Sequence, residues 1–165
     1  MRRLAKLPLP FAATVVAALA ASAVALAHGT KHDPSGADGS HAARGTIAVV
    51  EHATTDATTD TGATGDSAGD VLTFANDVFD AKDQTKVGTD QGSCIRTVAG
   101  AAYECNWTTS LKAGQITVEG PFYDTKDSTL AITGGTGAYA SARGTMDLHA
   151  LDGGKEYAFT FHLAK

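Results

Sequence analysis

Between Gly114 and Gly144 the chain reads GQITVEGPFYDTKDSTLAITGGTGAYASARG, and this pattern leaves few folds open. Ile116 and Val118, then Leu130 and Ile132, alternate with other residues in two short runs closed by glycine, as half-buried antiparallel strands do. Gly134, Gly135 and Gly137, with the small residues after them, surround one aromatic, Tyr139, and one guanidinium, Arg143. Such a segment suits a tight loop in which backbones approach closely and Tyr139 plugs an opening. It is not a phosphate loop: no Lys-Ser/Thr pair follows the last glycine, and no βαβ setting supports a dinucleotide fingerprint.

The two-residue period recurs along the rest of the chain. Residues 46–53, 70–79, 86–98 and 102–111 are expected to be the first four strands, the pair above the fifth and sixth, and 145–150 and 156–163 the last two. Ala99-Gly100 and Asp152-Gly153-Gly154 supply turns, and the Thr-, Asp-, Gly- and Ala-rich stretch 54–68 is expected to be a loop. No helical period follows the N-terminal segment. About eight antiparallel strands fit an all-β, up-and-down β-barrel, because closure removes exposed sheet edges; a two-sheet sandwich has the same local pattern and stays open at this point.

Arg2, Arg3 and Lys6 precede an apolar run from Phe11 that ends Ala25-Leu26-Ala27, so residues 1–27 are expected to be a secretory signal cleaved before His28. The run is alanine-rich and only marginally long enough to cross a bilayer, so no stable membrane insertion is expected after cleavage. Residues 28–43 form an expected flexible linker, and the barrel domain spans 44–165. His28, His32, Asp33, Asp38 and His41 lack the fixed geometry of a metal site. Asp77, Asp80 and Asp83 resemble a calcium loop in spacing but lack its glycine and closing glutamate. The formal net charge is −5, and without a basic stripe no nucleic-acid partner is expected.

Cys94 and Cys105 are the two cysteines. If Ala99-Gly100 turns a hairpin, they face each other on neighbouring strands within disulfide range, and an oxidising compartment favours the bridge. The alternative is that Cys94 is a free thiol inside the barrel.

Several segments together resemble the allene oxide cyclase and dirigent superfamily from about Ile47 to Leu163. They are Val49-Val50-Glu51, Gly69-Asp70, Phe74-Ala75-Asn76, Val87-Gly88, Gly92-Ser93-Cys94, Gly114 to Pro121, Ser128 to Gly137, and Ala142-Arg143-Gly144. The resemblance implies a calycin-like eight-stranded barrel, possession of no cofactor, an apolar small-molecule ligand, and a homo-oligomer, trimer or dimer. It also implies control of a short-lived intermediate: cyclisation of an unsaturated fatty-acid epoxide in cyclases, or coupling of phenoxy radicals in dirigent proteins. On this likeness Glu51 matches a glutamate near a delocalising cation, Asn76 a water-holding asparagine, and Cys94 a pocket cysteine, with Phe74, Pro121, Phe122 and Tyr139 as pocket residues. Ala53 stands where a second asparagine is expected, Phe122 where a tyrosine is expected, and 54–68 holds no counterpart of the Ser-Pro pair. These departures leave a related cyclisation or isomerisation of another substrate open, as well as a secreted barrel that only binds. Each site residue also has a plainer reading: Glu51 solvated on the outer face, Asn76 in a turn, and the aromatics as simple core.

Overall fold

The computed structural model describes residues 45–164. The expected signal (1–27) and linker (28–43) lie outside the described residues. Nine strands follow in order: β1 (Gly45–His52), β2 (Ala57–Thr59), β3 (Val71–Asp80), β4 (Lys86–Val98), β5 (Ala102–Leu111), β6 (Gly114–Tyr123), β7 (Ser128–Gly135), β8 (Gly144–Leu151) and β9 (Glu156–Leu163). One 3-10 turn, Gly137–Tyr139, sits between β7 and β8.

Strands β3 to β9 pair antiparallel in sequence order, and β1 pairs with β9 on one side and β3 on the other. The β1–β3 register, from Val49 opposite Asp80 to His52 opposite Asp77, joins the two edges of the sheet. The molecule is therefore a closed barrel of eight strands, and the sandwich alternative falls away.

Alternation decides what is inside. On β8 and β9, Met146, Leu148, Phe159, Phe161 and Leu163 are buried while His149 and His162 are exposed. Ile116, Val118, Leu130 and Ile132 are almost completely enclosed, as their spacing requires. The glycine-rich segment closes one end. Ala138 N–H donates to the Ala113 carbonyl, and a Cβ on Gly137 would approach that carbonyl, which together with its φ of +58° explains a glycine there. Tyr139 is buried against the core at this end, and Arg143 donates to the Ala142 carbonyl.

The expected loop 54–68 differs: it contains the short strand β2. The reason lies in the stagger of the barrel. β1 pairs only with the last four residues of β3, leaving the start of β3 without a neighbour, and β2 fills that edge opposite Val71 to Thr73. Asp70, expected to begin the strand, instead accepts from the Thr61 and Ser67 amides at 3.0 and 2.8 Å and folds the loop upon itself.

Candidate functional site

The other end of the barrel, where the 53–70, 99–101, 124–127 and 152–155 connections gather, is the open one. A cavity of about 50 Å³ enters the interior there, with walls from Phe74, Trp107, Phe122, Tyr157, Phe159 and Leu148. Trp107 meets Phe74 edge-on at 6.0 Å and Phe159 at 5.5 Å, and Phe122 meets Tyr157 edge-on at 5.8 Å. These are packed aromatic walls rather than isolated rings. A wider groove of about 580 Å³ adjoins it at Phe122, Leu148 and Tyr157 and runs out over residues 123–127.

The cavity has an acidic end. Glu51 faces inward from β1 and is only 5 % exposed. Asn76 Nδ2 donates to Glu51 Oε1 at 2.6 Å and to Asp56 Oδ1 at 2.8 Å. Asn76 Oδ1 accepts from the Thr54 and Thr55 amides at 3.1 and 2.9 Å and from the Thr55 hydroxyl at 2.9 Å. This side chain stands in the gap between the β1–β3 and β2–β3 ladders, replacing main-chain bonds that the diverging chain no longer makes.

Asp90 lies opposite Asn76 on β4, 1 % exposed. Neither of its oxygens has a hydrogen-bond partner of good geometry among the described residues. Burial, then the charge of Glu51 and a proton held toward Glu51, push the Asp90 carboxyl up to about 9. Burial also raises Glu51, to about 7, against the opposing hydrogen bonds from Asn76 and Asp90. Two carboxyls enclosed together with no cation beside them among the described residues cannot both ionise readily, so burial favours a protonated pair. Burial and the nearby Asp56 and Glu51 charges raise the Tyr157 phenol as well.

Cys94 and Cys105 are bridged, directly opposite on β4 and β5, and both line the cavity. The free-thiol reading of Cys94 is thereby replaced by a sulfur wall. Of the four residues named for a pocket, Phe74 and Phe122 line the cavity and the other two lie elsewhere. Tyr139 is at the closed end, and Pro121, adjacent in sequence to the inward Phe122, takes the opposite face of β6. Asp90, Asp56 and Tyr157 were not singled out as site residues. Asp90 shares the parity of Cys94 on its strand and Tyr157 that of Phe159, so alternation alone carried their signal; Asp56 reaches the site through a loop and has none.

The mouth is held by Arg96. Its guanidinium lies 3.6 Å from the Tyr103 ring centre, donates to both Asp124 oxygens at 2.8 and 2.7 Å, and places Nε 2.7 Å from Asp66, off line for a hydrogen bond there. Outside the barrel, His52, Asp83 and Glu156 are the one group among the described residues whose ligand atoms lie within 4.8 Å of one another. His52 already bonds Asp83 at 2.7 Å and stacks on Phe79, an arrangement complete as a surface hydrogen bond.

A closed eight-stranded antiparallel barrel with an aromatic-walled cavity at its open end is the architecture these residues build. The chain belongs to the allene oxide cyclase barrel-like domain family, which matches residues 50–163. Among solved structures it is similar to a pyocyanin demethylase, at 28% identity over 72% of this chain and 99% of that one, TM-score 0.65. It shares the fold of a pterocarpan synthase dirigent protein (16% identity, 73% and 85% covered, TM-score 0.57). An exo-specific intermolecular Diels-Alderase shares it too (12%, 72% and 98%, TM-score 0.56).

Proposed function

We propose that this protein is an exported barrel that binds an apolar small molecule in the cavity and, without a cofactor, steers an isomerisation or cyclisation of a reactive intermediate. The observation that carries this reading is the aromatic cavity ending on the buried Glu51 carboxyl, which Asn76 holds in place. Rigid apolar walls restrict a flexible reactant to one conformer and exclude water, and a desolvated carboxylate stabilises positive charge as it develops. Glu51 is the charge-stabilising group of this mechanism, Asn76 positions it, and Phe74, Trp107, Phe122 and Tyr157 shape the reactant. Similar structures named for a demethylase, a pterocarpan synthase dirigent protein and a Diels-Alderase support a fold that carries varied chemistry.

The expected test offers the mature protein a fatty-acid allene oxide, a diene with its dienophile, phenoxy radicals, and pyocyanin, with products resolved by chiral chromatography or mass. One product pool should be enriched in a single isomer or product. Glu51→Gln should slow that enrichment at least about a hundredfold while the circular dichroism is unchanged; full activity in this variant would sink the proposed role of Glu51. A purely ligand-binding barrel is the second reading, favoured by the bridged Cys94 and the small cavity volume of about 50 Å³. Bound ligand with background product ratios throughout would select it.

Export rests on the N-terminal pattern together with the Cys94–Cys105 bridge, and N-terminal sequencing of the exported form should begin at His28. A dimer or trimer joined through barrel faces is part of the same proposal, with Ile95 and Val98 exposed on the outside of β4; light scattering reads the mass.

A further inference from the structure

The walls of the cavity are aromatic, and among the described residues its charged lining is Glu51 and Asp56, both acidic, with no lysine, arginine or histidine. Asp90 adds a third carboxyl behind Glu51, buried and without a protein partner of good hydrogen-bond geometry among the described residues. Among the described residues Asn76 is the one side-chain donor to this group, and both of its N–H bonds are already committed to Glu51 and Asp56. Trp107, 5 % exposed and part of the same wall, has an indole N–H with no partner among the described residues. The protein thus ends an apolar slot on carboxyl groups with no cationic side chain among the described lining residues, so a positive group entering the slot meets acceptors and no competing cation.

We infer that the ligand of this cavity is an apolar aromatic molecule carrying a cationic or protonatable nitrogen, seated between Trp107, Phe122 and Tyr157 with its positive end toward Glu51 and Asp56. The inference rests on the proposed reading of the cavity as the ligand site. A cation over these ring faces gains from their quadrupoles as well as from the carboxylates, and both gains rise as water is excluded. An anionic ligand, a fatty-acid carboxylate included, has to keep its charged end outside, in the groove that holds Lys126 and His149.

Trp107 is the single tryptophan of the chain, so its fluorescence reports the cavity directly. The full mature protein is titrated at pH 8 with three probes of one size: N-methylquinolinium, 1-methylnaphthalene and 1-naphthalenesulfonate. The cation should bind at least about tenfold more tightly than the neutral probe, a difference of about 1.4 kcal/mol, and the anion more weakly than either. In the Glu51→Gln/Asp90→Asn double variant the cation and the neutral probe should bind within about threefold of each other. Asp56→Asn, at an exposed position, gives a second reading if the double variant does not fold, and should narrow the preference at least threefold. Equal binding of cation and neutral probe by the unaltered protein, or a preference for the anion, overturns the inference while leaving the cavity a ligand site. Failure of all three probes to alter Trp107 removes the ligand-site reading itself.

Discussion

Asn76 is the residue on which the local architecture depends most, because one amide side chain serves two acceptors and three donors. Its carbonyl side satisfies main-chain amides at the point where β1 leaves the barrel wall, and its amino side holds Glu51 at the cavity. Aspartate would keep the acceptor and lose the donor, setting a further carboxyl beside Glu51, Asp56 and Asp90. Alanine would strand both sets of partners. Asn76→Ala is expected to lower unfolding free energy by about 2–4 kcal/mol in urea, since partly buried groups lose their partners together. A change below about 0.5 kcal/mol would mean that the 53–56 segment repacks without this clamp. Asn76→Asp should retain the Thr54 and Thr55 bonds yet disturb Glu51, so it should impair product steering more than stability. The contrast between these two variants separates the structural half of the side chain from its role at the site.

Among the elements, the β4–β5 hairpin carries the most constraint. The Cys94–Cys105 bridge ties its strands inside the barrel, Gly92 lies opposite Trp107, and Arg96 reaches from its end to the loops at the mouth. A Cβ at Gly92 would collide with the Asn106 carbonyl and the Trp107 side chain, so glycine here makes room for the aromatic wall. Replacing both cysteines by alanine is expected to cost about 3 kcal/mol, from the freed loop in the unfolded chain and the lost volume in the core. Guanidinium unfolding of the oxidised protein and the variant measures it, and coincident transitions would remove the bridge from the stability argument. Arg96→Gln should release the mouth instead, shown by faster amide exchange at residues 61–69 and 123–126 with slight change in the core strands. Much of this was legible in the sequence: the hairpin bounds and the pairing of the cysteines follow from period-two alternation about Ala99-Gly100, whereas alternation alone left Glu51 free to lie on the outer face, and only the family resemblance pointed it inward. What alternation does not contain is stagger. The gap that β2 and Asn76 fill arises only when the tilted sheet closes, and the meeting of Asp56 and Asp90 at Glu51 arises with it. Pro121 and Tyr139 were assigned to the pocket by likeness of motif, and the parity of β6 and the choice of barrel end place them elsewhere.

For the molecule as a whole, the buried acid pair couples folding to pH, because unfolding moves both carboxyls from the barrel interior into water. The folded pKa values, about 7 for Glu51 and about 9 for Asp90, lie above the ordinary values of 4.5 and 3.8. Between those ordinary values and about pH 9 the folded barrel therefore holds more protons than the unfolded chain, so stability must fall as pH rises. Asp70 and Asp80 act in the opposite sense: main-chain amides hold both carboxyls below their usual range, and the stability they contribute is lost only as pH falls below about 4. The two effects occupy separate windows, which places the stability maximum on the acid side, near pH 4, rather than at neutrality. Each pH unit over which one extra proton is held changes stability by about 1.4 kcal/mol. Calorimetry should accordingly show Tm falling steadily between pH 5 and pH 9, with a single transition throughout. Asp90→Asn, which imitates the protonated carboxyl, should flatten this slope and exceed the unaltered protein in Tm at pH 9. A Tm that stays level or rises across the interval would show that Glu51 and Asp90 ionise freely inside the barrel, and would break the link drawn here between their enclosure and the acidic character of the cavity.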